Sequence, residues 1–323
     1  MTKVELIEKA RRVLNGDLKM SGKELHVFIK VLVKWDQFSY ATDILFLKIE
    51  QDKEQGVDLA PEQSLKQQQD LVKYIYQDHS LPSTFKFDLA LERLVNYCEL
   101  SNTDNVETLG LAGAIYKRKW YYENLSKYLE LSRHFYALGY KSWLNYCSLT
   151  GKERERRFHL NDDGWTAINY AHLTELTAVN NLEELGQIVG LTDKTSDLLV
   201  ESIMVRKTIL KVTLMIKDPK PWVLATIAEA FFGLGQYSRA KEFLVKYLNH
   251  KAKDNGPLKW QIRSTAEQFH SISYLQTYLK NWCNNAQPEI NFREVKGYLS
   301  QIDESGLSDC LNALANPDQS IRN

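Results

Sequence analysis

Apolar residues recur along this chain with the 3.6-residue period of an α-helix, whereas the two-residue alternation of half-buried strands is almost absent. In the segment ELHVFIKVLVKW, four residues stand at positions i, i+3, i+4 and i+7 and share one helix face: Leu25, Phe28, Ile29 and Leu32. Interruptions of this period recur after roughly 30 to 50 residues, which is typical of helical repeat proteins. They lie at 15–16, 56, 80–82, 102–105, 151, 161–164, 218–221 and 255–257. The pattern predicts an all-α protein.

The repeat pattern is clearest in PWVLATIAEAFFGLGQYSRAKEFLVKYL, residues 221–248. Small Ala228 and Ala240 allow two helices to approach closely, Gly235 permits the turn between them, and Tyr237 closes over that turn. This order is that of a tetratricopeptide repeat, although a generic helical hairpin can show the same spacing. Since one repeat cannot bury its apolar face alone, the copies are expected to stack into a curved solenoid of degenerate tetratricopeptide hairpins. Further copies are residues 24–49, 107–140 and 164–190, and 258–283 is expected to be another helix or hairpin.

This pattern predicts three parts along the chain. We expect N-terminal helical hairpins in residues 1–100 and the tetratricopeptide-like array in residues 101–290. Residues 291–323 are expected to form a helix and a frayed tail, which would act as a linker if an effector follows in a longer protein.

Charge restricts the class of partner. The chain has 323 residues, with 41 basic and 41 acidic side chains, so its formal net charge is zero. A neutral protein gains no long-range attraction to duplex nucleic acid or to anionic lipid. Any anion site must therefore be a local cluster.

The candidate chemistry is sparse. The four cysteines, Cys98, Cys147, Cys283 and Cys310, lie far apart without metal-ligand spacing, which argues against a disulfide framework or structural zinc and fits a reducing cytoplasm. There is no signal-peptide core and no apolar run long enough for a membrane span. Phosphate-loop, dinucleotide, nucleophile-elbow and H-E-x-x-H motifs are absent as well. We expect a cytoplasmic, non-catalytic protein without cofactor or metal.

The segment ETLGLAGAIYKRKW, residues 107–120, joins a small apolar half to three consecutive cations, Lys117, Arg118 and Lys119. Such a run is commonly a solvated C-terminal turn, which the helix dipole favours. It can equally face an anion, because Arg presents a planar fork of donors and Lys a compact point charge. Both interpretations stay open at this point.

A second charged segment, KERERRFHLNDD at 152–163, interrupts the helical pattern. It predicts either a solvated loop or helix end, or an anion pocket supplied by Arg154, Arg156 and Arg157.

Five segments in order resemble a known bacterial family: KYIYQDHSLP, ETLGLAGAIYKRKW, DGWTAINYAHLTEL, PWVLATIAEAFFGLGQY and WQIRSTAEQF. This family is TPR-S, tetratricopeptide repeats with a sensor, and the resemblance extends from about residue 20 to 285. The same segments are similar to the central regulatory, TRAFs-binding region of the apoptosis-signal-regulating MAP kinase kinase kinases. The chain departs from the family at Tyr170, Ala171 and His172, where small apolar residues are usual, and this departure leaves the identity of the ligand open.

The resemblance implies a regulatory module. In bacteria such regions are fused to, or encoded beside, caspase-like peptidases, TIR domains or patatin-like lipases, and are proposed to sense a nucleotide-derived signal in anti-phage defence. No effector is recognisable within these 323 residues. We therefore expect a nucleotide-like or NAD-derived small ligand and a separate effector. The alternative is a tetratricopeptide scaffold whose groove holds a partner peptide.

The candidate ligand residues are those expected to line the concave face of the repeats. The cations Lys117 and Arg118 would contact the anion, and tryptophans would stack on a base. The tryptophans are equally compatible with core packing, and Asn169 with a buried hydrogen bond. The complete predicted set is Lys117, Arg118, Trp120, Trp165, Asn169, Trp222, Thr226 and Glu229.

Overall fold

The computed structural model describes residues 2–185, 193–250, 256–285 and 304–315, and all regular structure in these ranges is helical. The prediction of an all-α fold is confirmed for this part of the chain. The α-helices in chain order are α1 (Lys3–Leu14), α2 (Gly22–Lys34), α3 (Phe38–Glu54), α4 (Pro61–Gln77), α5 (Ser83–Tyr97), α6 (Val106–Glu123), α7 (Ser126–Ser148), α8 (Gly151–Arg156), α9 (Trp165–Leu185), α10 (Asp193–Thr213), α11 (Pro221–Gly233), α12 (Tyr237–Leu248), α13 (Lys259–Asn285) and α14 (Glu304–Ala315).

Several helix starts follow from short-range sequence signals. Thr2 and Ser21 each form a capping box, in which the hydroxyl accepts from a backbone N–H three residues later and a glutamate reaches back. Pro61 and Pro221 stand in the first turn of α4 and α11, where the missing N–H costs no helical bond. Each predicted interruption lies at or beside a helix end, although residue 255 lies outside the described residues.

The chain divides into two compact units, and each is built from consecutive antiparallel helix pairs. The first unit comprises Met1–Thr103 with Glu107–Ser132, and the second comprises Asp104–Val106 with Arg133–Asn323. In the first unit, α2 packs on α3 and α4 on α5, while α3 also packs on α4. In the second, α9 packs on α10 and α11 on α12, while α11 contacts both members of the preceding pair. This stacking of successive hairpins is the predicted repeat architecture.

The clearest predicted repeat is confirmed as the hairpin of α11 and α12. Ala228 and Ala240 are fully buried, which is what a close approach of the two helices requires. Gly235 has φ +72°, a left-handed conformation that favours glycine. Tyr237 is buried behind this turn and meets the ring of Phe232 edge-on, at 5.2 Å between centroids.

Two further predicted segments are resolved by the structure. Residues 164–190 do not hold a whole hairpin, because α9 alone occupies Trp165–Leu185 and its antiparallel partner is α10. Residues 258–283, predicted as a helix or a hairpin, form the single long helix α13. A long helix of uniform amphipathic pattern carries no internal break signal, which explains why the sequence alone places a hairpin within 164–190.

Of the predicted C-terminal part, 291–323, the structure describes only 304–315, and the remainder lies outside the described residues. None of the helices in the described part of the chain combines the length and the apolar character that crossing a bilayer requires.

Candidate anion-binding site

The three consecutive cations do not form a solvated last turn, because α6 continues beyond them to Glu123. Lys119 is buried, and its ammonium contacts the Asp88 carboxylate at 2.7 Å and the Glu123 carboxylate at 3.1 Å. Burial alone would lower the pKa of Lys119, but the hydrogen bonds to these two carboxylates outweigh it, so the pKa is raised. Lys119 is therefore a structural cation of the first unit.

Arg118 has different surroundings. Its guanidinium lies over the ring of Tyr76, 4.8 Å from the centroid, and donates one weak hydrogen bond to the Ala114 carbonyl at 3.3 Å. The side chain is half-buried. Among the described residues, no carboxylate oxygen lies within 4.0 Å of its nitrogens. Arg118 is thus held by an aromatic face and a backbone oxygen, while its charge lacks an ion-pair partner in the described structure.

A second cation of this kind is Lys86 on α5, which the sequence did not single out. Lys86 is buried and its ammonium donates to the Asp78 carbonyl at 2.8 Å. Burial lowers its pKa, the charge of Asp78 opposes that shift, and the charge of Arg118 adds to it. Again no carboxylate of the described residues lies within 4.0 Å of the ammonium. The two cations repel each other, and neither forms a salt bridge within the described structure.

Asp78 forms the edge of this cluster. One of its carboxylate oxygens accepts from the backbone N–H and the hydroxyl of Ser80, at 2.8 and 2.7 Å. It thereby caps the loop ahead of Pro82. The Asp43 carboxyl on α3 has a raised pKa because of burial and because of the charge of Asp78. The Asp78 carboxylate is therefore held by Ser80 in the loop rather than in a salt bridge with Lys86.

Most other buried or half-buried lysines of the first unit have a carboxylate partner, unlike Lys86. Direct ion pairs of such lysines within 4.0 Å are Lys48–Asp52, Lys73–Glu107 and Lys119–Asp88. Lys86 and Arg118 together present two positive charges from α5 and α6 without such a partner. A phosphate or carboxylate anion is the chemical group that this pair is suited to bind.

The predicted residues on α9 have structural contacts of their own. Trp165 meets the ring of Tyr136 edge-on, at 6.1 Å between centroids. Asn169 is buried, and its side-chain amide donates to the Trp165 carbonyl at 2.9 Å. Asp162 starts this helix by accepting from the Thr166 backbone N–H at 2.7 Å.

The predicted residues on α11 divide between surface and interior. Trp222 is 41% exposed, and the Lys220 ammonium lies 4.8 Å from its ring centroid. Thr226 donates to the Trp222 carbonyl at 2.9 Å. Glu229 is buried and accepts from the Gln268 amide of α13 at 3.0 Å. These polar groups are therefore engaged within the second unit.

The eight predicted residues fall into two groups. The first unit contains Lys117, Arg118 and Trp120, and the second contains Trp165, Asn169, Trp222, Thr226 and Glu229. Within the second unit, Thr226 lies close to the start of α9, since a Cβ built on Gly164 would lie 3.6 Å from its methyl group.

The arginines of the segment 152–163 each have a separate local partner. Arg154 lies over the ring of Tyr146, Arg156 is 3.8 Å from Glu153, and Arg157 contacts Asp104 at 3.4 Å. Their guanidinium groups do not share one partner, which matches the solvated helix end better than an anion pocket.

Burial also determines the chemistry of the cysteines. It raises the pKa of Cys98 and of Cys147 to about 11 and that of Cys310 to about 12, so these sulfurs remain thiols at neutral pH. Cys283 lies where side chains are not described. In the described ranges, no group of three metal-ligating side chains has metal-binding geometry.

Residues 47–174 match the family model for Tetratricopeptide Repeats-Sensor, TPR-S. Over this stretch the chain is similar to the TPR-S family. The TPR-S stretch contains Tyr76, Lys86 and Arg118, and therefore the whole candidate anion site of the first unit. It also contains Trp165 and Asn169, but not the predicted residues of α11. No curated protein and no solved structure matches the chain.

Proposed function

We propose that the TPR-S region binds a nucleotide-derived anion at Arg118 and Lys86 and thereby controls an associated effector in bacterial anti-phage defence. The observation that carries this proposal is the presence of two adjacent, partly desolvated cations without a carboxylate partner among the described residues. Desolvating a charge without a counterion is unfavourable, so a bound anion would stabilise the folded protein.

The position of the two cations suggests how binding would be transmitted. Lys86 lies on α5, Arg118 on α6, and the loop that Asp78 caps joins α4 to α5. An anion bound by both cations would connect these elements and favour one packing of the first unit. The effector would respond to that packing, and we expect it to be a caspase-like, TIR or patatin-like protein.

A peptide scaffold is the second candidate function. Tetratricopeptide repeats commonly bind partner proteins, and the same two cations would hold a peptide carboxylate. The nucleotide contacts predicted for Trp120, Trp165, Asn169, Trp222, Thr226 and Glu229 stay predictions.

A thermal-shift screen of the full chain distinguishes these functions. We expect a nucleotide or NAD-derived compound at one-hundred-fold excess over its Kd to add about 2.7 kcal/mol of stability. Arg118→Ala and Lys86→Met should weaken binding by about ten- to one-hundred-fold, because each removes a charge-assisted hydrogen bond. Arg12→Ala, which removes an exposed arginine of α1, should leave binding unchanged.

The outcomes separate clearly. Stabilisation by a peptide with a free carboxylate, but by no nucleotide, would favour the scaffold. If a nucleotide stabilised both the Arg118→Ala and the Lys86→Met variants as much as the wild type, its binding site would lie elsewhere. For the defence role, cells carrying the native locus should resist phage with wild-type protein or Arg12→Ala and lose resistance with Arg118→Ala. Equal efficiency of phage plating on all three strains would exclude the defence role.

A further inference from the structure

The last turns of α6 carry two adjacent aromatic side chains that are exposed to solvent. Tyr121 is 54% and Tyr122 is 62% exposed, whereas Tyr116 and Trp120 on the same helix are half-buried. Aromatic faces beside a cationic group are the usual platform for a nucleotide base, because every base can stack on them.

Helix geometry places these two tyrosines one turn beyond the cations. Lys117 and Tyr121 stand at i and i+4, as do Arg118 and Tyr122, so each cation shares a face of α6 with one tyrosine. Side chains on a helix point toward its N-terminus, so each tyrosine covers the turn that carries the cations. Phosphate and base contacts would then be neighbours on one face of α6.

Trp120, which the sequence suggested for this role, stands at a different angle around α6. It follows Arg118 by two positions, a rotation of about 200° around the helix. Its ring is tilted against that of Tyr121, with centroids 4.8 Å apart, so Trp120 packs against Tyr121.

The other aromatic ring near Arg118 is already covered. Tyr76 is only 5% exposed, and the guanidinium itself lies over its ring. A base stacked on Tyr76 would have to displace Arg118, whereas Tyr121 and Tyr122 present their surface to solvent. The aromatic platform beside the cations is therefore on α6 itself.

We propose that Tyr121 and Tyr122 hold the base of an anionic ligand whose phosphate is bound by Arg118, so that the site takes a nucleotide rather than a bare phosphate or carboxylate. This inference rests on the proposed anion site and adds the residues that select the ligand class.

Calorimetric titration of the full chain with ADP and with inorganic pyrophosphate tests the inference. Changing both Tyr121→Ala and Tyr122→Ala should weaken ADP binding about five- to one-hundred-fold and leave pyrophosphate affinity within about twofold. Changing both to Phe keeps the rings and should preserve ADP binding. Tyr274→Ala, which removes a 62%-exposed tyrosine of α13, is the matched control and should change neither affinity.

Each further outcome has a definite meaning. If the wild type binds pyrophosphate as tightly as ADP, or if the double alanine variant weakens both equally, the inference is wrong while the anion site stands. If the wild type binds neither probe, both the inference and the proposed function are wrong. Loss of pyrophosphate binding in Arg118→Ala would support the anion site itself, whereas retained binding would contradict it.

Discussion

Two arginines of this protein illustrate opposite ways of placing a charge inside a helical repeat. Arg206 in the second unit is 1% exposed, and its guanidinium pairs with the equally buried Glu175 and donates to the Ser202 hydroxyl at 2.6 Å. Arg118 in the first unit is half-buried and has an aromatic ring and a backbone carbonyl in place of a carboxylate. The first charge is neutralised within the fold, whereas the second has no carboxylate partner among the described residues.

The surroundings of Arg206 show how completely it belongs to the core. A side chain on Gly233, at the end of α11, would overlap the Arg206 guanidinium, so this glycine makes room for the ion pair. The pair links α9 to α10 beneath α11. Breaking such a pair strongly destabilises a protein, because one partner is left as an uncompensated buried charge. The difference between the two arginines predicts different costs of substitution.

The largest expected effect is that of Glu175→Gln. The substitution keeps the shape of the side chain but leaves Arg206 buried without its counterion, which should lower the free energy of unfolding by about 3–5 kcal/mol. Urea denaturation followed by circular dichroism measures this loss.

Two further variants provide the controls for that measurement. Glu153→Gln removes an exposed carboxylate that lies 3.8 Å from Arg156, and should change stability by less than about 0.5 kcal/mol. Replacing the pair together, Glu175→Leu with Arg206→Met, should destabilise less than Glu175→Gln alone. A Glu175→Gln protein as stable as Glu153→Gln would contradict the assignment of Arg206 as a structural cation.

Asp162 is an intermediate case, a half-buried acid whose hydrogen-bond partners are neutral. Its oxygens accept from the backbone N–H groups of Gly164 and Thr166, yet burial raises its pKa from 3.8 to about 6. Because the folded state then holds the proton more tightly than the unfolded state, stability should fall as pH rises from about 4 to about 6.

Asp162→Asn removes this titration. Between pH 4.5 and 6.5, the wild type should lose about 1–2 kcal/mol of unfolding free energy relative to the variant. Denaturant titrations at several pH values measure the difference, with Asp17→Asn, an exposed acid before α2, as the control. If wild type and Asp162→Asn show parallel pH profiles, burial does not govern this carboxyl.

The sequence predicted the local features of this fold better than it predicted which helices pack against each other. The hairpin of α11 and α12 could be predicted from Ala228, Gly235 and Tyr237. The steric limits of its turn and of its close helix contact apply to residues that are near each other in the sequence. The extent of α9 was not predictable, since its partner α10 is recognised only through tertiary contact. Sequence spacing also identified Arg118 as a cation of interest. It could not identify Lys86, because the charge interaction between Lys86 and Arg118 arises only in the folded protein.

The smallest expected effect completes the comparison, and it concerns Arg118→Met. The substitution loses a cation–π contact worth about 0.5–1 kcal/mol and a weak hydrogen bond, but it also removes a partly desolvated charge that repels Lys86. Stability should therefore change by less than about 0.5 kcal/mol, while the pKa of Lys86, measured by NMR titration, should rise. Arg118 would then contribute little to stability while supplying a positive charge, which is the combination expected of a ligand-binding residue. If Arg118→Met were as destabilising as Glu175→Gln, Arg118 would be a second structural cation, and the distinction between the two arginines would fail.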